Sequence, residues 1–450
     1  MNIVQVQSQG IFHGLPVYPE SKLGYNAIVT GANGISGSYM LRVLAESPTR
    51  WNSVFALSRR AVPIPPEWSQ SVQSASLDFL QSPEAIAEVL KDNKAKAYVA
   101  ILPRAMSQSL TTGSDYVFFF SYIQVKPKDD GILWSNAQGM CDVNGRLLEN
   151  FLIALEIASI TPKRFLLQTG AKTYGIHMGP IVCPQKESQP RILAEPSFYY
   201  LQEDLLSAYC ERTGVEWNVI RPGAILGAVR DAAMNLLYPL AVYATVQAKM
   251  NAKLEFPGDM ASWDREFTQS SAMMNGYLSE WAVLTPAARN EAFNAADTSP
   301  FTWGEFWPVL ARWFNLPYGV PDVSGNYRET ILPYSTPPRG YGPVGKLRYT
   351  WKFTDWAKKT VVQTTWAKLQ KEHNLCQSPF EEDKVDQIFA FLDSNIACTW
   401  SLSFSMNKSR KLGWFGFVDS HEAMRLVMNE LADLRMIPEL PEAEEREAKY

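Results

Sequence analysis

Short apolar runs alternate with amphipathic stretches through the first half of the chain. Ala27-Ile28-Val29 and Val54-Phe55-Ala56-Leu57 read as buried strands, and between them Met40, Leu41 and Leu44 recur at helical spacing. Ser76-Leu77-Asp78-Phe79 closes a third strand. Ser82-Pro83-Glu84 then supplies the cap, first-turn proline and early acid of a helix start, with the helix expected to run to about Lys91. Two apolar runs follow, Ala97 to Leu102 and Tyr116 to Phe120, where an alternating sheet needs one strand. The second leads into Ser121 and Tyr122 and is assigned as the central strand. The first is expected as an insertion at 95–114: a surface hairpin, an extra edge strand, or a stretch foreign to the working protein. Asn144 to Ala158 places Leu147, Leu148, Phe151, Leu152 and Leu155 on one helical face. Strands at Arg164–Gln168 and Glu216–Ile220 flank a helix running from Phe198 through Tyr209.

This alternation predicts an α/β fold, a Rossmann-type doubly wound parallel sheet over 25–230 with right-handed crossovers. Residues 1–24 read as an irregular lead-in. From about Asp231 helical patterns dominate and tryptophans multiply at 263, 281, 303, 307 and 313. We expect 231–440 to form a mainly helical, aromatic-rich substrate lobe, with Glu291 to Asp297 returning as a last strand. Proline-rich Leu332 to Pro343 reads as a connector and 441–450 as a charged tail.

The first strand ends in Thr30-Gly31-Ala32-Asn33-Gly34-Ile35-Ser36-Gly37 and passes directly into a helix. A pyrophosphate needs backbone N–H groups and a helix N-terminus close by, and a Cβ at the closest approach would displace it. The turn therefore reads as a dinucleotide site contacted by Thr30, Gly31, Asn33, Gly34 and Ile35. The second strand ends in Ser58-Arg59-Arg60 with no acid nearby. Guanidinium groups suit a ribose 2′-phosphate, so NADPH is expected over NADH. Asp78, at the third strand end, is expected either at the adenine amino group or as a simple acid approaching the helix. Ser121 and Pro222 end the fourth and sixth strands at the same cofactor edge.

Composition narrows the function. Hydrophobic residues are 46% and charged residues 20% of 450, and the net charge is -4, so nothing argues for nucleic acid. Five scattered cysteines and four histidines without ligand spacing speak against disulfides and metal. No apolar run reaches the ~18 residues of a membrane span. A cytoplasmic protein, possible as a homodimer, is expected.

Reductases of this architecture often carry Tyr-x-x-x-Lys on one helix, the lysine lowering the phenol pKa. Here Tyr199 is followed at the fourth position by Glu203, which would raise it. A lysine stands elsewhere: Lys172, in the loop after the fifth strand. Both sit at the sheet's carboxyl edge and are candidates to meet over a nicotinamide.

The runs Gln168-Thr169-Gly170-Ala171-Lys172-Thr173-Tyr174, Phe198-Tyr199-Tyr200 with Glu203-Asp204, and Arg221-Pro222-Gly223 resemble the progesterone 5β-reductase/iridoid synthase family. Phe256-Pro257-Gly258, Trp263-Asp264, Glu291-Ala292-Phe293-Asn294 and Ser405-Met406-Asn407-Lys408 with Gly413 extend the resemblance from Ala27 to Ile437. The resemblance implies NADPH-dependent reduction of the C=C bond of α,β-unsaturated carbonyls, in some members followed by cyclisation. It implies catalytic roles for Tyr199 and Lys172 and a pocket-wall role for Tyr122; Trp134, in the polar loop behind it, is expected beside the substrate. Departures are Thr173, where histidine is common, Ser271, where aspartate is common, and the segment near Ala97 to Ser114. Competing readings are a nucleotide-sensing protein without turnover and a nucleotide-sugar epimerase or dehydratase.

Overall fold

The seven strands that position the site are β1 (Tyr25–Thr30), β2 (Trp51–Ser58), β3 (Val72–Ser76), β4 (Tyr116–Phe119), β5 (Arg164–Gln168), β6 (Glu216–Pro222) and β7 (Glu291–Ala295). They form one parallel sheet in the order β7-β6-β5-β4-β1-β2-β3. The structure, a computed structural model, describes residues 4–101, 115–128, 134–230, 234–382 and 384–441. The strand order reverses between β1 and β4, where the carboxyl ends of a doubly wound sheet open a crevice. Register brings those ends level: Thr30 pairs with both Leu57 and Phe119.

Parallel strands are covered on both faces, which explains their continuous apolar character. Val29, Phe118 and Leu166 face α1 (Ile35–Ala45) in one buried cluster. Ile28, Val117, Phe119 and Phe165 face α3 (Ala137–Ile157) in the other, with α2 (Pro83–Ile101) alongside. Phe151 on α3 is fully buried against the rings of Phe79, Phe119 and Phe165. Truncating it to Ala would cost roughly 3–5 kcal/mol. α4 (Phe198–Thr213) packs beside α3 and ends at Gly214 in the left-handed region, φ 75°.

Three expectations change. Residues 6–16 are not irregular: Val6–Gln9 and Phe12–Pro16 form an antiparallel hairpin around Gly10, anchored by buried Phe12 and Leu15. Its first strand is exposed throughout, so no alternation announced it. The run from Ala97 continues α2 through Ile101 in place of a hairpin or strand, because no proline or glycine interrupts Lys91 to Ile101. Leu102 to Ser114 lie outside the described residues. The stretch 332–343 is not a plain connector: it is the loop of a hairpin whose strands are Arg328–Ile331 and Lys346–Tyr349.

Beyond β6 the chain builds a second core around α5 (Leu237–Lys249) with Trp303, Trp307, Trp366 and Phe389. Tyr243 of α5 is ringed by Trp351, Phe353 and Trp356. Two elements return to the sheet: β7, as expected, and α6 (Ala272–Leu284), buried along its whole length against α1. Most tryptophans of this half are packing residues. Among the described residues no helix is long and apolar enough to cross a membrane.

Candidate active site

Gly31 has φ +63°, and a Cβ there would stand 2.8 Å from the Phe120 carbonyl oxygen. Glycine thus lets β1 turn sharply beneath the end of β4. A Cβ on Gly37 would meet the Gly31 carbonyl oxygen at 2.3 Å, so the third glycine lets α1 close onto the turn. The α1 N-cap, Gly34, offers no side-chain cap, leaving the first-turn N–H groups for a ligand. The Ser58 hydroxyl hydrogen-bonds Asn33 Oδ1, tying the end of β2 to the turn.

These residues line one cavity of about 970 Å³ that runs from the glycine turn into the second lobe. Of the expected contacts it gathers Gly31, Asn33, Gly34, Ile35, Ser58, Arg59, Arg60, Ser121, Tyr122, Trp134, Lys172, Tyr199 and Pro222. Two lie elsewhere. Thr30 is fully buried, and its hydroxyl accepts from the Phe120 and Ser121 N–H groups at 3.1 and 3.3 Å, so it joins β1 to β4. Asp78 turns its Oδ1 to the Leu80 N–H at 3.0 Å while its neighbours Leu77 and Phe79 face the cavity.

Tyr199 opens α4, and its hydroxyl rests against the loop after β5: a Cβ on Gly170 would sit 2.9 Å from it. That loop carries Lys172 two residues on, so phenol and ammonium line the same cavity from separate stretches of chain. Burial pushes the Tyr199 phenol well up, keeping it protonated. Glu203 does not act on it as expected. Although four residues along the same helix, its carboxylate turns to Arg221 at 2.9 Å and Arg191 at 3.5 Å. The Tyr199 ring packs on Phe198 at 4.2 Å between centroids, and Tyr122 stacks behind Phe198 at 5.8 Å. The Tyr122 phenol is also pushed up by burial, and next by its neighbour Tyr199. Trp134 adopts φ 70°, a left-handed backbone that bulky residues rarely take, and places its ring 5.4 Å from Lys172 Nζ.

Lys172 has a half-buried partner that the sequence did not announce. Glu195 Oε1 stands 3.7 Å from Lys172 Nζ and 2.5 Å from His177 Nε2. The Tyr334 hydroxyl donates to Glu195 Oε2 at 2.6 Å from the hairpin loop of the second lobe. Burial lowers the His177 pKa to about 4, so the ring is neutral. A carboxylate only accepts, so Nε2 carries the proton, and Nδ1 is left buried without a partner. Burial opposes ionisation of Glu195, but the hydrogen bonds from His177 and Tyr334 and the Lys172 charge override it and hold the carboxyl at about 2. The Lys172 pKa is lowered by burial, and Glu195 opposes that lowering. Glu195 and His177 come from the loop between β5 and α4 and Tyr334 from the second-lobe hairpin, and only the fold brings them together. From the second lobe the cavity takes Tyr238, Phe391, Trp400 and Phe404 in place of the tryptophans that drew notice.

The model of the PRISE-like Rossmann-fold domain matches residues 27–332. The chain is 30% identical over 322 residues to an (S)-8-oxocitronellyl enol synthase of Camptotheca acuminata, covering 68% of this chain and 74% of that protein. It is 26% identical over 428 residues to a 3-oxo-Delta(4,5)-steroid 5-beta-reductase of Arabidopsis thaliana, covering 92% and 93%. A UDP-glucose 4-epimerase structure from Thermotoga maritima superposes with a TM-score of 0.52 at 14% identity, covering 91% of this chain and 99% of that one; it shares the fold. The chain belongs to the PRISE-like Rossmann-fold family.

Proposed function

We propose that this protein is an NADPH-dependent reductase of the C=C bond of α,β-unsaturated carbonyl compounds. The observation that supports the reading is that Tyr199 and Lys172 line one cavity with the glycine turn and the arginines after β2. The residues fit a phosphorylated dinucleotide. The crowded Gly31 and Gly37 bring backbone close to the site, the uncapped α1 N-terminus suits an anion, and Arg59 and Arg60 on the cavity wall suit a 2′-phosphate. The Thr169 hydroxyl, buried on the cavity wall without a partner, is a further donor for a ligand. The reductase named among the relatives supports the same chemistry.

When bound, NADPH supplies the hydride that adds to the β-carbon of the enone. The protein's part is electrostatic. The Tyr199 hydroxyl, kept protonated by burial, donates a hydrogen bond to the carbonyl oxygen as it becomes an enolate. The Lys172 charge adds favourable potential in a site whose walls are largely apolar. Tyr122, Trp134 and Phe198 form the wall beside the phenol and exclude water from it. The α-carbon is protonated afterwards from solvent, so a strongly acidic phenol is unnecessary.

The test follows NADPH consumption against a panel of cyclic and linear enones. We expect turnover by the native protein, and a loss of about a hundredfold or more in kcat for Tyr199→Phe with NADPH affinity retained. Equal turnover in that variant would remove Tyr199 from the mechanism. NADPH binding without turnover on any enone would make the protein a sensor of the nucleotide.

A further inference from the structure

We infer that Glu195 is a positioning residue for Lys172: braced by Tyr334 of the second-lobe hairpin and by His177, it keeps the ammonium charged and directed at the cavity. The inference rests on the reading of Lys172 as part of the reductase site and deepens it.

The geometry is specific. Lys172 is nearly buried, with its side chain 8% exposed. A lone ammonium in such a place tends to shed its proton, because burial disfavours the charged form. The groups that face it are Glu195 from the loop before α4, Cys141 from α3, neutral His177 from the loop after β5, and the Trp134 ring. Burial pushes the Cys141 thiol up, so it is uncharged. Glu195 is therefore the one formal counter-charge among these groups. At 3.7 Å it is close enough to hold the charge and too far to take a full hydrogen bond from Nζ. The lysine's donors stay available to a ligand.

Glu195 is itself fixed from two sides. His177 Nε2 holds Oε1 and the Tyr334 hydroxyl holds Oε2. Tyr334 is delivered by close backbone packing between its hairpin and the loop after β5: a Cβ on Gly345 would stand 2.7 Å from Gly179 Cα, and one on Gly175 2.9 Å from Pro338 Cγ. The seating of the second-lobe hairpin is thereby linked to the Lys172 charge on the cavity wall.

The test needs no turnover. The native protein and Glu195→Gln are treated at neutral pH with a small amine-acylating reagent, and Lys172 modification is timed by mass spectrometry. Neutral amine is the reacting form, so we expect Lys172 in E195Q to react about tenfold faster, the factor given by one unit of pKa. Glu195→Asp keeps the charge and should stay within about threefold of the native rate, well short of that factor. Equal rates in E195Q and the native protein overturn the proposal. Equal acceleration in E195D and E195Q also overturns it, since access rather than charge would then be responsible. Tyr334→Phe removes only a donor, is expected to accelerate labelling measurably, and serves as the deciding variant should E195Q not fold; an unchanged rate there overturns the link to the hairpin. In the enone assay, the alkaline limb of the kcat profile should move to lower pH in E195Q while the KM for NADPH holds. Labelling that differs in a protein without enone turnover would sink the reductase reading and leave the placement of Glu195 standing.

Discussion

Glu280 on α6 is buried and Glu195 before α4 is half-buried, each beside a cation, yet the two clusters are built differently. Glu280 Oε1 accepts from Arg50 Nη1 at 2.8 Å and from the Trp51 indole at 2.7 Å, and the Arg50 guanidinium lies 4.3 Å over the Tyr18 ring. None of these groups reaches the main cavity. Burial raises the Glu280 carboxyl and Arg50 opposes it, so the cluster is closed and joins α6 to the start of β2. Around Glu195 the cation is held at 3.7 Å, on the cavity wall. A cation hydrogen-bonded directly to its carboxylate away from the cavity supports the fold. A cation held at a short remove remains able to act on a ligand.

Breaking the closed cluster should give the largest effect, and it should be on stability. Removing one member of a buried pair strands the other, so Glu280→Ala is expected to cost roughly 3–5 kcal/mol in denaturant unfolding. Turnover per folded molecule should be unchanged. Loss of kcat without loss of stability would erase the distinction between the clusters.

Asp297 sharpens the comparison as a buried carboxylate without a cation. It is fully buried, its Oδ1 accepts from the Ser271 N–H at 2.6 Å, and its Oδ2 has no partner. Burial raises its pKa from 3.8 to about 7, against about 2 for Glu195. The folded value lies above the unfolded one, so the favourable contribution is complete below about pH 4 and is lost as pH rises to about 7. Asp297→Asn should therefore gain stability over the native protein across that window, by up to ~4 kcal/mol, and then level off. A difference that is flat with pH would mean Asp297 does not titrate there.

In the open cluster the expected losses are in rate and affinity. Tyr199→Phe should lower kcat about a hundredfold with little change in unfolding. Replacing Arg59 and Arg60 together by Ala should weaken NADPH binding about tenfold and leave NADH nearly unaffected, as measured by fluorescence titration. Equal weakening for both nucleotides would refute the 2′-phosphate assignment.

Much of the scaffold was legible because it is local. The Gly31, Gly34 and Gly37 turn, the apolar strands and the short stretches bearing Lys172 and Tyr199 each declare themselves within a few residues. Where the reading erred, the cause was a partner distant in sequence. Glu203 looked like a neighbour of the Tyr199 phenol until Arg221 and Arg191 claimed its carboxylate. Thr30 looked like a cofactor contact, but the end of β4 uses its hydroxyl. The second-lobe tryptophans left pocket and core packing both open, because composition cannot separate a lining ring from a packed one, and the structure shows most of them packed. Glu195, His177 and Tyr334 carried no signal at all, since their meeting depends on one hairpin closing over another loop.

The proposed reaction is delivery of hydride to the β-carbon of an enone in this cavity. Turnover with NADPH deuterated at its transferable position, followed by NMR of the product, tests it directly. One deuterium at the β-carbon of a saturated carbonyl compound is expected; deuterium on the carbonyl carbon of an alcohol would rule the reaction out.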